Sequence, residues 1–167
     1  HGSCDSADRS AAAACPPSTV QFEDKEWTMA EREFSGLLGN EVSVIEGNTF
    51  MVSNEFGDVM VDSPHGLFYA DTRFLSEFMI TLNGHRPRLL TSDNVRPFAA
   101  SFYSTNPDMD GVQERSLTMV RDRLLSNGLH EDVTLQNHSL NRVQVRLVVR
   151  LAADFADVFE VRAGRIL

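Results

Sequence analysis

With 167 residues, 42% of them hydrophobic, and a formal charge of −9, the chain is sized for one domain with a real core. Of its 15 basic residues only Lys25 is a lysine, so no basic stripe tracks phosphates, and neither nucleic acid nor an anionic membrane is an expected partner. Both cysteines, Cys4 and Cys15, precede the folded part, which therefore has neither a disulfide framework nor a thiolate metal set.

Residues 1–26 are rich in Ser, Ala, Asp and Pro, broken at Pro16-Pro17, and read as a disordered leader. The run Ala11 to Cys15 resembles a lipoprotein cleavage site only faintly. Asp5, Asp8 and Arg9 occupy the place of the apolar run that should precede it, so no export signal is read and a cytoplasmic location is expected. No stretch approaches the length of a membrane span. Over 27–40, Trp27, Met29, Ala30, Phe34, Leu37 and Leu38 predict a short helix or an adhering arm that ends near Gly39-Asn40.

From Glu41 the text changes to short alternating runs, and 41–167 is expected to be a single β-domain. Val42 and Val44, then Phe50 and Val52, predict two strands around a Glu46-Gly47-Asn48 turn, and Phe56-Gly57-Asp58 turns into a further strand over 59–61. Phe74 to Leu82 alternates as one long strand, with Phe74, Ser76, Phe78, Ile80 and Leu82 on its apolar side. Asn83-Gly84 closes it as a hairpin, with Arg88 to Thr91 returning beside it. Strand character resumes over 98–103, and Asn106 to Gly111 is a loop by its turn chemistry. Two strands, 112–125 and 129–137, flank Asn127-Gly128. The last runs through Val143, Val145, Leu147, Val149 and Leu151, of which Val145, Leu147 and Val149 are expected to be largely buried, with Arg146 and Arg150 opposite. No βαβ alternation appears. The economical solution is an all-β, antiparallel two-sheet sandwich. The end at Arg165-Ile166-Leu167 follows strand-like sequence, and the chain reads as a piece of a longer protein.

The densest segment is Pro64 to Phe78, where a turn, aromatic residues and the Asp71/Arg73 pair meet the start of a strand. Two roles fit it. Asp71 and Arg73 maintain the fold by pairing or by capping backbone groups, or the segment recognises a sugar or another domain at the surface. Carboxylates that could serve hydrolysis are Asp71, Glu114, Glu131 and Asp132, yet Glu131 and Asp132 are neighbours in a strand and point to opposite faces. No catalytic residue is assigned. His65, His85, His130 and His138 lack zinc spacing, and the Asn106 loop places Leu117 where a calcium loop needs a bidentate Glu, so no metal and no cofactor is expected. Asn137-His138-Ser139 matches a glycosylation sequon, but Asn137 is read as a turn residue. If Val, Leu and Phe fill both facing sheets, the interior has little room for a sugar or its attacking water.

Five separated segments, Val44 to Ser53, Pro64 to Ser76, Leu82-Asn83-Gly84, Gly128 to Glu131 and Ala153 to Arg162, together resemble the N-terminal domain of bacterial glycogen debranching enzymes of the amylo-alpha-1,6-glucosidase type. The resemblance spans about 41–164. It implies a supersandwich-like β-sandwich placed ahead of an (α/α)6 catalytic domain, which would be this domain's partner in the same polypeptide and would carry the acid and base that cleave alpha-1,6 branch linkages. The domain is then a non-catalytic support, or alternatively a glucan-binding module acting through exposed aromatics. His65, Phe68, Tyr69, Asp71 and Arg73 are the candidates for contact with the catalytic domain or with glucan.

Overall fold

The computed structural model describes residues 41–164. The expected leader and the arm over 27–40 lie outside them. Ten strands follow in chain order: β1 Val42–Glu46, β2 Thr49–Ser53, β3 Gly66–Tyr69, β4 Thr72–Leu75, β5 Glu77–Leu82, β6 Arg88–Arg96, β7 Ala99–Thr105, β8 Leu117–Leu125, β9 Leu129–Asn137 and β10 Leu147–Ala152. A short helix, α1, covers Val158–Ala163.

All strand pairs are antiparallel, in the orders β1-β2-β3-β4, β5-β10 and β6-β7-β8-β9. Only Ser76 separates β4 from β5, so the first two sets make one layer and the third set faces it. Val44, Met51, Phe78, Ile80 and Leu82 from the first layer meet Ala100, Phe102, Leu117, Met119 and Leu125 from the second in one buried cluster. This is the two-sheet sandwich that the period-2 runs predict.

Pairing departs from expectation at β6. After Asn83-Gly84 the return closes a single bridge, Leu82 with His85, and then Pro87 has no N–H with which to extend the ladder. The chain crosses to the second layer, where β6 pairs with β7, and the free edge of β5 is taken by β10. The expected strand over 59–61 is reduced to one bridge between Val59 and Phe78. The end of the chain, expected to be strand-like, winds into α1 instead. Its cause is local: the Asp157 side chain accepts from Phe159 N, Glu160 reaches back to the Asp157 N–H, and Gly164 closes the helix at φ 63°.

The expected burial of the last strand is also corrected. Register sets Leu147, Val149 and Leu151 beside Leu82, Ile80 and Phe78 on the inward face, yet Leu147 is 40% and Val149 46% exposed. Val145, just before the strand, is half-buried against the core. The reason is position: β10 is an edge strand whose main strand contact is β5, and alternation reports which face points inward without reporting whether anything covers it. Leu147→Ala is accordingly expected to cost less than about 1 kcal/mol, against about 2–5 kcal/mol for Ile80→Ala, both read from urea unfolding.

The interior differs from an aliphatic filling in one more respect. Arg121 and Arg123 lie on the inward face of β8, each 2% exposed, between the rings of Phe78 and Phe102. Arg121 pairs with Asp58 at 2.7 Å and Glu131 at 2.6 Å, and Arg123 pairs with Glu131 at 2.7 Å. Their remaining N–H groups donate to the carbonyls of Phe56 and Gly57 and to Ser53 Oγ. Gly57 sits at φ 79°, and a Cβ there would stand 2.9 Å from the Phe102 ring. Gly57→Ala is expected to cost about 1–3 kcal/mol, from the strained backbone and the displaced ring together. Thermal unfolding monitored by circular dichroism reads it.

Candidate functional site

The segment from Pro64 to Phe78 divides into an interior and an exterior. Backbone pairing of β3 with β2 on one side and β4 on the other, with a bulge between Leu67 and Phe68, decides which side chains go where. Phe68 is buried, stacked on Phe50 at 4.7 Å and 8°, in a cluster closed by Ala156 and Val161 of the C-terminal segment. His65 is buried as well, with Nε2 3.0 Å from Glu41 Oε1.

Arg73 is the hub. Its Nε donates to Asp154 Oδ1 at 3.1 Å, its Nη2 to Asp154 Oδ2, and its Nη1 to the carbonyls of Ser63 at 3.0 Å and His65 at 3.1 Å. A guanidinium is suited to this because its planar fork reaches a carboxylate and two carbonyls at once. Its acidic partner is Asp154, 81 residues later in the chain, and not Asp71. Asp71 is exposed and contributes its backbone carbonyl, which accepts from Val158 N at 2.8 Å. With Arg73 N donating to Ala156 O and Ser76 N to Ala152 O, the 152–158 segment is laced along β4. His65, Phe68 and Arg73 are therefore enclosed within the domain, Arg73 in the fold-maintaining role that is one of the two readings of this segment. Tyr69 and Asp71 are the two of the five that reach solvent.

The Arg73 hydrogen bonds, partly opposed by burial, hold the Asp154 carboxyl below the usual carboxylate range. Because the folded carboxyl binds its proton less tightly than the unfolded one, acid favours unfolding. The stabilisation is present above the unfolded carboxylate value of about 4 and is lost as pH falls through the lower folded value. An Asp154→Asn variant is expected to lose less stability than the parent chain below about pH 4, measured as urea midpoints across pH.

The other carboxylates do not assemble into a pair across a cleft. Glu131 is engaged inside the sandwich by Arg121 and Arg123, and Asp58 by Arg121 and Arg86, while burial, opposed by Glu131, lowers the Arg123 value. Asp132 points outward, opposite to Glu131, as strand alternation requires. Glu114, in the loop before β8, is held by Arg88 and, at 3.8 Å, by Arg115. Asn106 ties down its own loop, its amide donating to the carbonyls of Pro107 and Gln113 and its Oδ1 accepting from Leu117 N. Asn137 Oδ1 accepts from Ser139 N at 2.9 Å, a turn role.

The Arg121/Arg123 cluster escaped the sequence reading, although a signal exists: both arginines fall on the same alternate positions as Leu117, Met119 and Leu125. The Arg73–Asp154 link left no local signal, because its two halves sit in segments that sequence order keeps apart.

No curated protein matches the chain significantly. Residues 44–166 match the family described as the N-terminal domain of (some) glycogen debranching enzymes, a span that takes in both layers and the capped helix that packs on Phe68. With that match covering most of its length on an antiparallel β-sandwich, the chain belongs to the family of N-terminal domains of glycogen debranching enzymes.

Proposed function

We propose that this domain is a non-catalytic support for an (α/α)6 glycoside hydrolase domain of the same polypeptide, and that it holds that partner along the inward faces of β9 and β10. One observation carries the reading. Val133 and Leu135 on β9, with Leu147, Val149 and Leu151 on β10, all belong by register to core-facing rows, and all five are exposed. Aliphatic rows on two edge strands form a surface that a soluble domain covers with a partner. The parent's reaction would be hydrolysis of alpha-1,6 branch linkages in glycogen-like glucans, with its acid and base supplied by the partner. The state of the acids supports that division, since among the described residues Asp58, Glu131 and Asp154 are each engaged by arginine.

The test is co-expression with the catalytic domain of the parent. Co-purification, protection of residues 147–151 from hydrogen exchange, and loss of both in a Val149→Asp variant that still folds are the expected results. Glucose release from glycogen by the isolated chain, abolished by Asp71→Asn or Glu114→Gln, overturns it.

A further inference from the structure

The pair Asn-Gly occurs twice in the chain, and the fold treats the two copies differently. Asn83-Gly84 lies between the bridged residues Leu82 and His85 at the end of β5, and Asn127-Gly128 turns β8 into β9. Both asparagines stand at left-handed φ, 51° and 52°. At both glycines a Cβ would meet nothing within 4 Å, so no neighbouring group shields either turn. The difference lies in the carboxamides. Asn83 is half-buried, its Oδ1 accepts from Arg146 N at 2.7 Å, and its own N–H donates to Arg146 O at 2.8 Å. Asn127 is exposed, and its side chain has no hydrogen-bond partner among the described residues. The bonds at its turn are made by other groups, Ser126 N donating to Gly128 O at 3.0 Å and His130 Nε2 to Ser126 O at 3.1 Å. The free carboxamide stands on the wall of an open groove of about 590 Å³ that Glu46, Tyr69 and Phe74 also line.

An asparagine followed by glycine is chemically labile, because glycine has no side chain to shield its amide nitrogen. When a base takes the N–H proton, that nitrogen attacks the asparagine Cγ. The bond from Cγ to the carboxamide nitrogen breaks, and the departing group takes up a proton and leaves as ammonia. Water then opens the five-membered succinimide. Cleavage of the new N–Cγ bond gives aspartate, and cleavage of the original peptide bond gives isoaspartate, whose backbone is longer by one methylene. Ring closure requires the carboxamide to swing onto the following nitrogen, and a carboxamide held by a hydrogen bond must break it first.

We propose that Asn127 is a modification site of the folded chain, deamidated through a succinimide with Gly128, and that the Arg146 backbone protects Asn83 from the same reaction. Either product puts a second carboxylate into the groove that Glu46 lines, on a chain already at −9. The isoaspartate form lengthens the backbone where the Leu125–Leu129 pair closes the β8–β9 ladder. The site is independent of the docking role of β9 and β10.

Incubation of the folded chain in mildly alkaline buffer made with heavy-oxygen water tests it, with peptide mass mapping to locate each label and chromatography to separate aspartate from isoaspartate. Label is expected at Asn127 about fivefold or more faster than at Asn83, the factor that one net hydrogen bond supplies. In urea, where the Arg146 contact is lost, the two sites should convert at similar rates. Asn127→Gln abolishes the label at that turn and leaves Asn83 unchanged. An Asn127 that stays intact in the folded chain while it converts in urea overturns the proposal, as does folded-state conversion of Asn83 at the rate of Asn127.

Discussion

Arg123→Met is expected to lower the unfolding free energy by about 3–5 kcal/mol, because it strips a buried carboxylate of one of its two arginines. Glu131 is enclosed with Arg121 and Arg123, and its side chain is 8% exposed. With Arg123 gone, Glu131 keeps only Arg121, which it shares with Asp58, while Asp58 also holds Arg86 at 2.9 Å. Ser53 Oγ and the Gly57 carbonyl lose a donor as well. The rings of Phe78 and Phe102 lose the cation that lies 5.7 and 4.9 Å from their centroids. Methionine fills much of the space, so the loss is mainly electrostatic and not a cavity effect. The double variant Arg123→Met with Glu131→Leu removes charges of both signs, and its loss should be smaller than that of the single change. Urea denaturation of the four members of that cycle is the measurement. A single variant within about 1 kcal/mol of the parent would mean that water reaches the cluster and screens it.

Arg73→Met is expected to have an effect of similar size, about 3–5 kcal/mol, by a different route. Arg73 is 2% exposed and joins the Ser63 and His65 carbonyls to Asp154, so its removal opens the turn before β3 and frees the segment that leads into α1. Arg73→Lys should recover little of this, since one ammonium cannot serve a carboxylate and two carbonyls at the geometry of a planar fork. Detachment has its own signature. The bond after Phe155, exposed at φ 55°, should become sensitive to chymotrypsin in Arg73→Met while the hairpins remain intact. Equal proteolysis of parent and variant would place the cost elsewhere.

Both arginine networks bear on how a domain with this surface keeps its shape. The aliphatic rows of β9 and β10 lie outside the core, so their burial cannot fix the spacing of the layers in this chain. The Arg121/Arg123 cluster links β8 and β9 to the turn at 54–58 and to β2, and the Arg73 link fastens the C-terminal segment across β4. Hydrogen bonds with fixed directions hold a geometry that an apolar contact would allow to slide.

What the sequence by itself determined is short in range. Residues 46–48 turn β1 into β2 and Asn127-Gly128 turns β8 into β9, because turn chemistry and period-2 alternation are properties of a few consecutive residues. The same reasoning read the fold class correctly and set Glu131 and Asp132 on opposite faces. The Asp157/Glu160 capping box is equally local, and only the expectation of continued strand hid it. Tertiary structure alone decided the rest. Pairing of β10 with β5 joins residues far apart in the chain, and nothing in either segment names its partner. Whether Leu147 and Val149 are buried depends on what stands opposite them, while the inward positions of Arg121 and Arg123 become tenable only where Asp58 and Glu131 arrive from other elements. The same holds at the surface: Phe68 and Tyr69 are adjacent in sequence, yet the β3 pleat sends one beneath the C-terminal helix and the other into the groove, because neighbouring side chains on a strand face opposite ways.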